Sequence, residues 1–131
     1  MALATLQVST RKQATLEDIT ARVQQAVRES GVGEGLCVVY VPHTTAGLVV
    51  NESHDPTVAT DILTTLDRLV PLHGPYRHTE GNSAAHIKAS LVGTSHAFIV
   101  HGGQLVLGTW QGIFLAEFDG PRQRRLVVSV L

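Results

Sequence analysis

The chain has little of what would mark a secreted, membrane-spanning or nucleic-acid-binding protein. A single cysteine in 131 residues, Cys37, excludes an intramolecular disulfide and a thiolate metal cluster. No run of about 18 apolar residues occurs, so no transmembrane helix is expected. The opening "MALATLQVSTRKQ" has no apolar stretch behind positive charge and does not read as a signal peptide. Charge is scarce and balanced, with 10 Lys and Arg against 11 Asp and Glu. A near-neutral chain offers no electrostatic footprint for nucleic acid or a membrane surface. These absences leave a soluble cytoplasmic protein as the expectation.

What is present is globular: 44% of residues are apolar and only 16% charged. The length suits one domain over residues 1–131. The low charge fraction also suggests that some surface is buried against a partner, as in a homo-oligomer.

"ATLQVST" alternates apolar and polar residues and predicts a first strand. Thr15 then reads as an N-cap, with Leu16, Ile19, Val23, Ala26 and Val27 at helical spacing and Gly31 as the stop. "GLCVVYV" (35–41) is continuously apolar, as in a strand buried on both faces, and Pro42 ends it. "GLVVNE" (47–52) predicts a second strand. Asp55 followed by Pro56 predicts a capped helix, ended before Pro71. Residues 71–82 carry two prolines and two glycines and read as loop. Asn82 or Ser83 caps a short helix closed by Gly93. "AFIV" and "QLVLGTW" flank His101-Gly102-Gly103, a hairpin turn, and "GIFLAEF" and "RRLVVSVL" add two strands. The sum is α+β: a largely antiparallel or mixed sheet sandwich with two or three helices.

The chemistry-bearing residues cluster in a few places. "HTEGNSAAH" (78–86) packs two histidines, a glutamate, an asparagine and a serine into nine positions. His43 follows a buried strand directly. Three imidazoles plus water is the arrangement of catalytic zinc sites, so His43, His78 and His86 are candidate ligands. His78 and His86 lie too far apart for one helix face, so the loop must fold back to bring them together. An imidazole bonded to a backbone carbonyl is the plain alternative for each. His54, His73, His96 and His101 read as turn or surface residues. Gly81-Asn82-Ser83 at a helix start is a candidate anion site, with Thr44 and Thr45 adding hydroxyls, although capping accounts for Asn82 and Ser83 equally well. Glu52 has no capping role and is a candidate acid–base group, whereas Asp55 reads as a cap. Glu117, Asp119 and Arg122 surround the tight turn Asp119-Gly120-Pro121. Arg122 and Arg124 share a strand face, and Arg125 points the other way. Trp110, the sole tryptophan, reads as core.

Three blocks, "HTTAGLVVNESHDPTVATD", "YRHTEGNSAAHIKASLVG" and "GQLVLGTWQGIFLAEFDGPRQRR", resemble in order the signature segments of the YjbQ-like proteins, also called secondary thiamine-phosphate synthase enzymes. The resemblance runs from about residue 42 to 125. It implies an α+β homotrimer with a cleft, between subunits, where His43, His78 and His86 gather and hold a metal, zinc above others. Glu52, Glu80, Asn82, Ser83 and Arg122 then form the surrounding shell. The activity it implies is weak thiamine-phosphate synthesis, on a phosphorylated small molecule. Two alternatives stand beside it: hydrolysis by a metal-bound water with Glu52 or Glu80 as base, and a non-enzymatic trimeric scaffold.

Overall fold

The computed structural model describes residues 2–131. The order is β1 (Ala2–Ser9), β2 (Thr15–Asp18), α1 (Thr20–Ser30), β3 (Glu34–Tyr40), β4 (Ala46–Glu52), α2 (Pro56–Leu69), α3 (Ser83–Val92), β5 (Ser95–His101), β6 (Gln104–Leu105), β7 (Gln111–Glu117) and β8 (Gln123–Val130). A five-stranded sheet runs β1-β8-β3-β5-β6, and a three-stranded sheet runs β2-β7-β4. Strand pairing is antiparallel throughout the described residues. The fold is α+β, as the pattern of elements predicts.

Alternation along the strands builds the core. Cys37 and Val39 of β3, with Leu126, Val128 and Val130 of β8, face Leu48, Ile113 and Leu115 of the smaller sheet. The same core takes in Val23 and Val27 of α1. The Cys37 thiol lies fully inside, and burial pushes its pKa up to about 11. Helices α2 and α3 cover the other face of the smaller sheet, where Ala85, Ala89, Ala116 and Phe118 form a second cluster with Leu63 and Leu66. Gly47 permits this approach, because a Cβ there would sit 2.5 Å from the Gly93 carbonyl oxygen.

The outward face of the larger sheet is uncovered in the single chain and carries an apolar strip among polar residues such as Thr5, Gln7, Arg125 and Ser129. Leu3 is 68% exposed, Ile99 60%, Tyr40 46% and Leu36 44%. The continuously apolar β3 therefore has one side in the core and the other facing outward from the single chain.

Local signals explain several boundaries. Asp55 caps α2 by accepting the Thr57 N–H at 2.9 Å, with Pro56 in the first turn. Gly31 ends α1 at φ 73°. Gly102 and Gly103, at φ 59° and 73°, make the hairpin between β5 and β6. Two expectations fail. Thr15 does not cap a helix: residues 15–18 pair with Glu117 to Phe114 of β7, and the helix starts at Thr20. Ile19 is the N-cap and makes no side-chain capping bond, while Asp18 just before it accepts from the Thr20 N–H at 2.9 Å and hydroxyl at 2.6 Å. Trp110 is not core. It is 60% exposed, with the His54 ring edge-on at 5.0 Å.

Candidate functional site

The site grows from a buried ion pair at one end of the smaller sheet. Glu117, the last residue of β7, is 0% exposed and lies opposite Ala46 at the start of β4. Arg124 sits inward on β8, in phase with Leu126, Val128 and Val130, and is 4% exposed. Its Nε donates to Glu117 Oε1 at 2.8 Å and its Nη2 to Oε2. The Thr10 hydroxyl donates to Oε1 at 2.7 Å, and the Asp119 N–H to Oε2 at 3.0 Å. Burial alone would raise the Glu117 pKa; the hydrogen bonds from Arg124, Thr10 and Asp119 outweigh it and hold the carboxyl below its ordinary value. Arg124 Nη2 also donates to the Thr45 hydroxyl at 2.8 Å, fixing the loop after β3. Thr45 is thus an anchor, its hydroxyl oxygen accepting from the arginine.

A second tie joins the 118–122 turn to α3. Asn82 occupies the N-cap position, yet its side chain makes no capping bond. Its Nδ2 donates instead to Asp119 Oδ2 at 2.9 Å. Arg122 donates to the same oxygen at 3.0 Å and, through Nε, to the Asp119 carbonyl at 2.8 Å. The expected cap is therefore replaced by a long-range contact, and the first turn of α3 is left uncapped by its own side chains. Among the described residues, Asn82 Oδ1 is the one buried side-chain polar atom without a partner.

Between these ties lies a polar cavity of about 380 Å³. His43, Thr44 and Thr45 line it from the loop after β3, Glu80 and Asn82 from the loop before α3, His86 from α3 itself, Asp119 and Arg122 from the 118–122 turn, and Arg124 from β8. His43 Nε2 accepts the Arg125 backbone N–H at 3.1 Å. Burial, then the neighbouring Arg124, lowers the His43 pKa below that of a free imidazole. His78 and His86 do come together across the folded-back loop, ring centroids 5.4 Å apart and planes near perpendicular. His78 Nε2 lies 3.8 Å from Glu80. His78 and Ser83 line an adjoining groove of about 470 Å³ with Tyr76 and Ile87, and His86 belongs to both spaces.

Glu52 is elsewhere. It ends β4 opposite Gln111, whereas the cavity lies at the Ala46 end. At about 3.3 Å per residue that separation is roughly 20 Å. Its carboxylate accepts the His54 N–H at 3.2 Å.

Nor do the three candidate histidines make one coordination sphere within a chain. Among the described residues no three His, Cys, Asp or Glu side chains converge as a metal site. A neutral imidazole has one lone pair on its ring nitrogens, and that of His43 already receives the Arg125 N–H. His78 and His86 remain as a facing pair. The pairing of two residues central to the site, Arg124 and Glu117, was missed in the sequence reading. The available signal was an arginine in phase with "LVVSV" and a glutamate inside an apolar strand, both of which need a buried partner.

Fold and site define a class: a two-sheet α+β domain whose polar, histidine-bearing cavity forms where two loops and a helix start meet one end of the smaller sheet. The chain belongs to the YjbQ family, for a family model described as UPF0047 protein YjbQ-like matches residues 4–131. It is 51% identical to the UPF0047 protein MJ1081 of Methanocaldococcus jannaschii, over 95% of this chain and 91% of that one. It is 47% identical to the UPF0047 protein YugU of Bacillus subtilis, over 98% of both. A solved structure of a conserved YjbQ/UPF0047-family protein from Clostridium acetobutylicum matches with a TM-score of 0.96 at 51% identity, covering 98% of this chain and 99% of that one. A YbjQ-like protein of unknown function from Sulfolobus solfataricus matches with a TM-score of 0.95 at 39% identity, covering 98% and 95%.

Proposed function

We propose that the cavity binds a phosphorylated small molecule and that His86 transfers a proton to or from it. The observation that carries this reading is the diversion of Asn82 to Asp119, which leaves the first turn of α3 uncapped beside Arg122 and Arg124. Unsatisfied N–H groups and the helix dipole at such a turn favour an anion. The lining is close to charge balance, since Arg122 pairs with Asp119 and Arg124 with Glu117. Affinity therefore rests on directed donors more than on a strong positive field.

Thiamine-phosphate synthesis is the activity the family resemblance names. Arginines and helix N–H groups are suitable donors to a departing pyrophosphate. The pyrimidine and thiazole substrates rest on the family resemblance alone. For the hydrolytic alternative, Glu80 lines the cavity and Glu52 does not, so the base falls to Glu80. The zinc reading narrows to the facing pair His78 and His86. What supports a homotrimer is the exposed apolar strip of Leu3, Leu36, Tyr40 and Ile99 on the larger sheet.

Arg122→Ala tests the binding reading. Titration calorimetry with orthophosphate and pyrophosphate is expected to show affinity about tenfold to a hundredfold weaker. Folding stability should change little, because Arg122 is half exposed. Unchanged affinity would sink the proposal.

A further inference from the structure

We infer that His43 is held as a neutral Nδ1–H donor, so that it meets an acceptor oxygen of the cavity's ligand and does not ligate a metal. The cause lies in the sheet. Strand β8 lies between β1 and β3, and the β3–β8 ladder runs from Cys37–Val130 to Tyr40–Val127. Pro42 then carries the chain away, so the Arg125 N–H finds no strand partner at the end of that ladder. His43 Nε2 takes the place of the missing backbone acceptor at 3.1 Å. A neutral imidazole that accepts at one ring nitrogen carries its proton on the other. The tautomer is therefore fixed by a backbone group that cannot rotate away.

This geometry disfavours two other states of the ring. Protonation at Nε2 would set N–H against N–H and orphan a backbone donor. The charged groups around the ring act in the same direction: Arg124 and Arg125 oppose a second proton, and the favourable Glu117 is already paired with Arg124. Metal binding through Nδ1 would require the proton to move to Nε2, against the same backbone N–H. Among the described residues Nδ1 has no hydrogen-bond partner, and the His43 ring lines the cavity alongside Thr44 and Arg124. An acceptor oxygen, as on a phosphoryl group, fits that N–H. The tautomer assignment stands independently of the proposed function; only the nature of the acceptor rests on it.

The test uses the whole chain with ¹⁵N-labelled histidine and no ligand, with His43→Asn assigning the His43 signals by their loss. Long-range proton–nitrogen correlations near neutral pH should show His43 Nε2 unprotonated and Nδ1 protonated, unmoved by added zinc. An Nε2–H tautomer, or a zinc-dependent shift at His43, would overturn the inference. A second arm titrates orthophosphate and pyrophosphate into two variants. His43→Asn keeps an N–H close to the Nδ1 position, whereas His43→Gln places its amide near Nε2. The asparagine variant should stay within about threefold of the parent, and the glutamine variant should lose about tenfold. The reverse order would refute the donor role. A parent chain that binds neither anion but shows the expected tautomer would overturn the proposed function and leave the His43 assignment standing.

Discussion

Replacing Glu117 with alanine is expected to lower unfolding stability by about 3–5 kcal/mol, measured by urea denaturation at neutral pH. The loss comes from what remains behind: the Arg124 guanidinium, 4% exposed, would keep its charge with no carboxylate to offset it. The Thr10 hydroxyl and the Asp119 N–H would lose their acceptor as well. A double substitution separates fold from site. Glu117→Leu with Arg124→Met replaces the pair by apolar side chains and should recover most of the stability, because buried ion pairs seldom outperform well-packed hydrophobic replacements. Thr45 would still lose its anchor, so phosphate binding should not recover. Acid adds a further check. The Glu117 carboxyl is depressed in the folded chain, so its contribution is complete above the unfolded value of about 4.3 and disappears as pH falls through the folded value. The stability gap between the parent and Glu117→Gln should therefore narrow in acid; a gap constant down to the acid transition would contradict the assigned role.

If the chain forms the proposed trimer, Ile99→Glu is expected to give a monomer in sedimentation velocity. Ile99 is 60% exposed in the single chain and shares the outward face of the larger sheet with Leu3, Leu36 and Tyr40. Carboxylates are expensive to bury, so one glutamate amid such a face costs several kcal/mol if another copy covers it and almost nothing if water does. Stable interfaces bury about 800 Å² per partner, an area for which a sheet face of this kind is a suitable source. A parent chain that sediments as a monomer would remove the trimer from the proposed function while leaving the cavity reading intact.

Local chemistry made much of this fold readable. Asp55-Pro56 and His101-Gly102-Gly103 specify a cap and a turn through side chains and dihedral preferences that act within a few residues. The approach of His78 to His86 was readable too, since a glycine-containing loop running into a helix start brings its ends together. Failures occurred where distant pairing decided the outcome. Residues 15–18 have helical spacing, but β7 supplies them with a ladder, and tertiary pairing overrides local preference. Asn82 looked like a cap because capping is local, whereas its actual partner is Asp119, 37 residues away. Glu52 lies only nine positions after His43, yet those positions include an extended strand, so nearness in sequence becomes distance in space.

Cys37 gives the chain an internal clock. It pairs across β3 with Phe98 on one side and Val130 on the other, fully buried and with its thiol pushed up to about 11. The reactive species is the thiolate, which needs both water and an ordinary pKa. A thiol reagent can therefore modify only those molecules whose central strand has parted from its neighbours. The rate of that modification, followed by mass spectrometry under native conditions, should track the free energy of opening the middle of the sheet. Without any engineered probe, one atom reports how often the middle of the larger sheet opens.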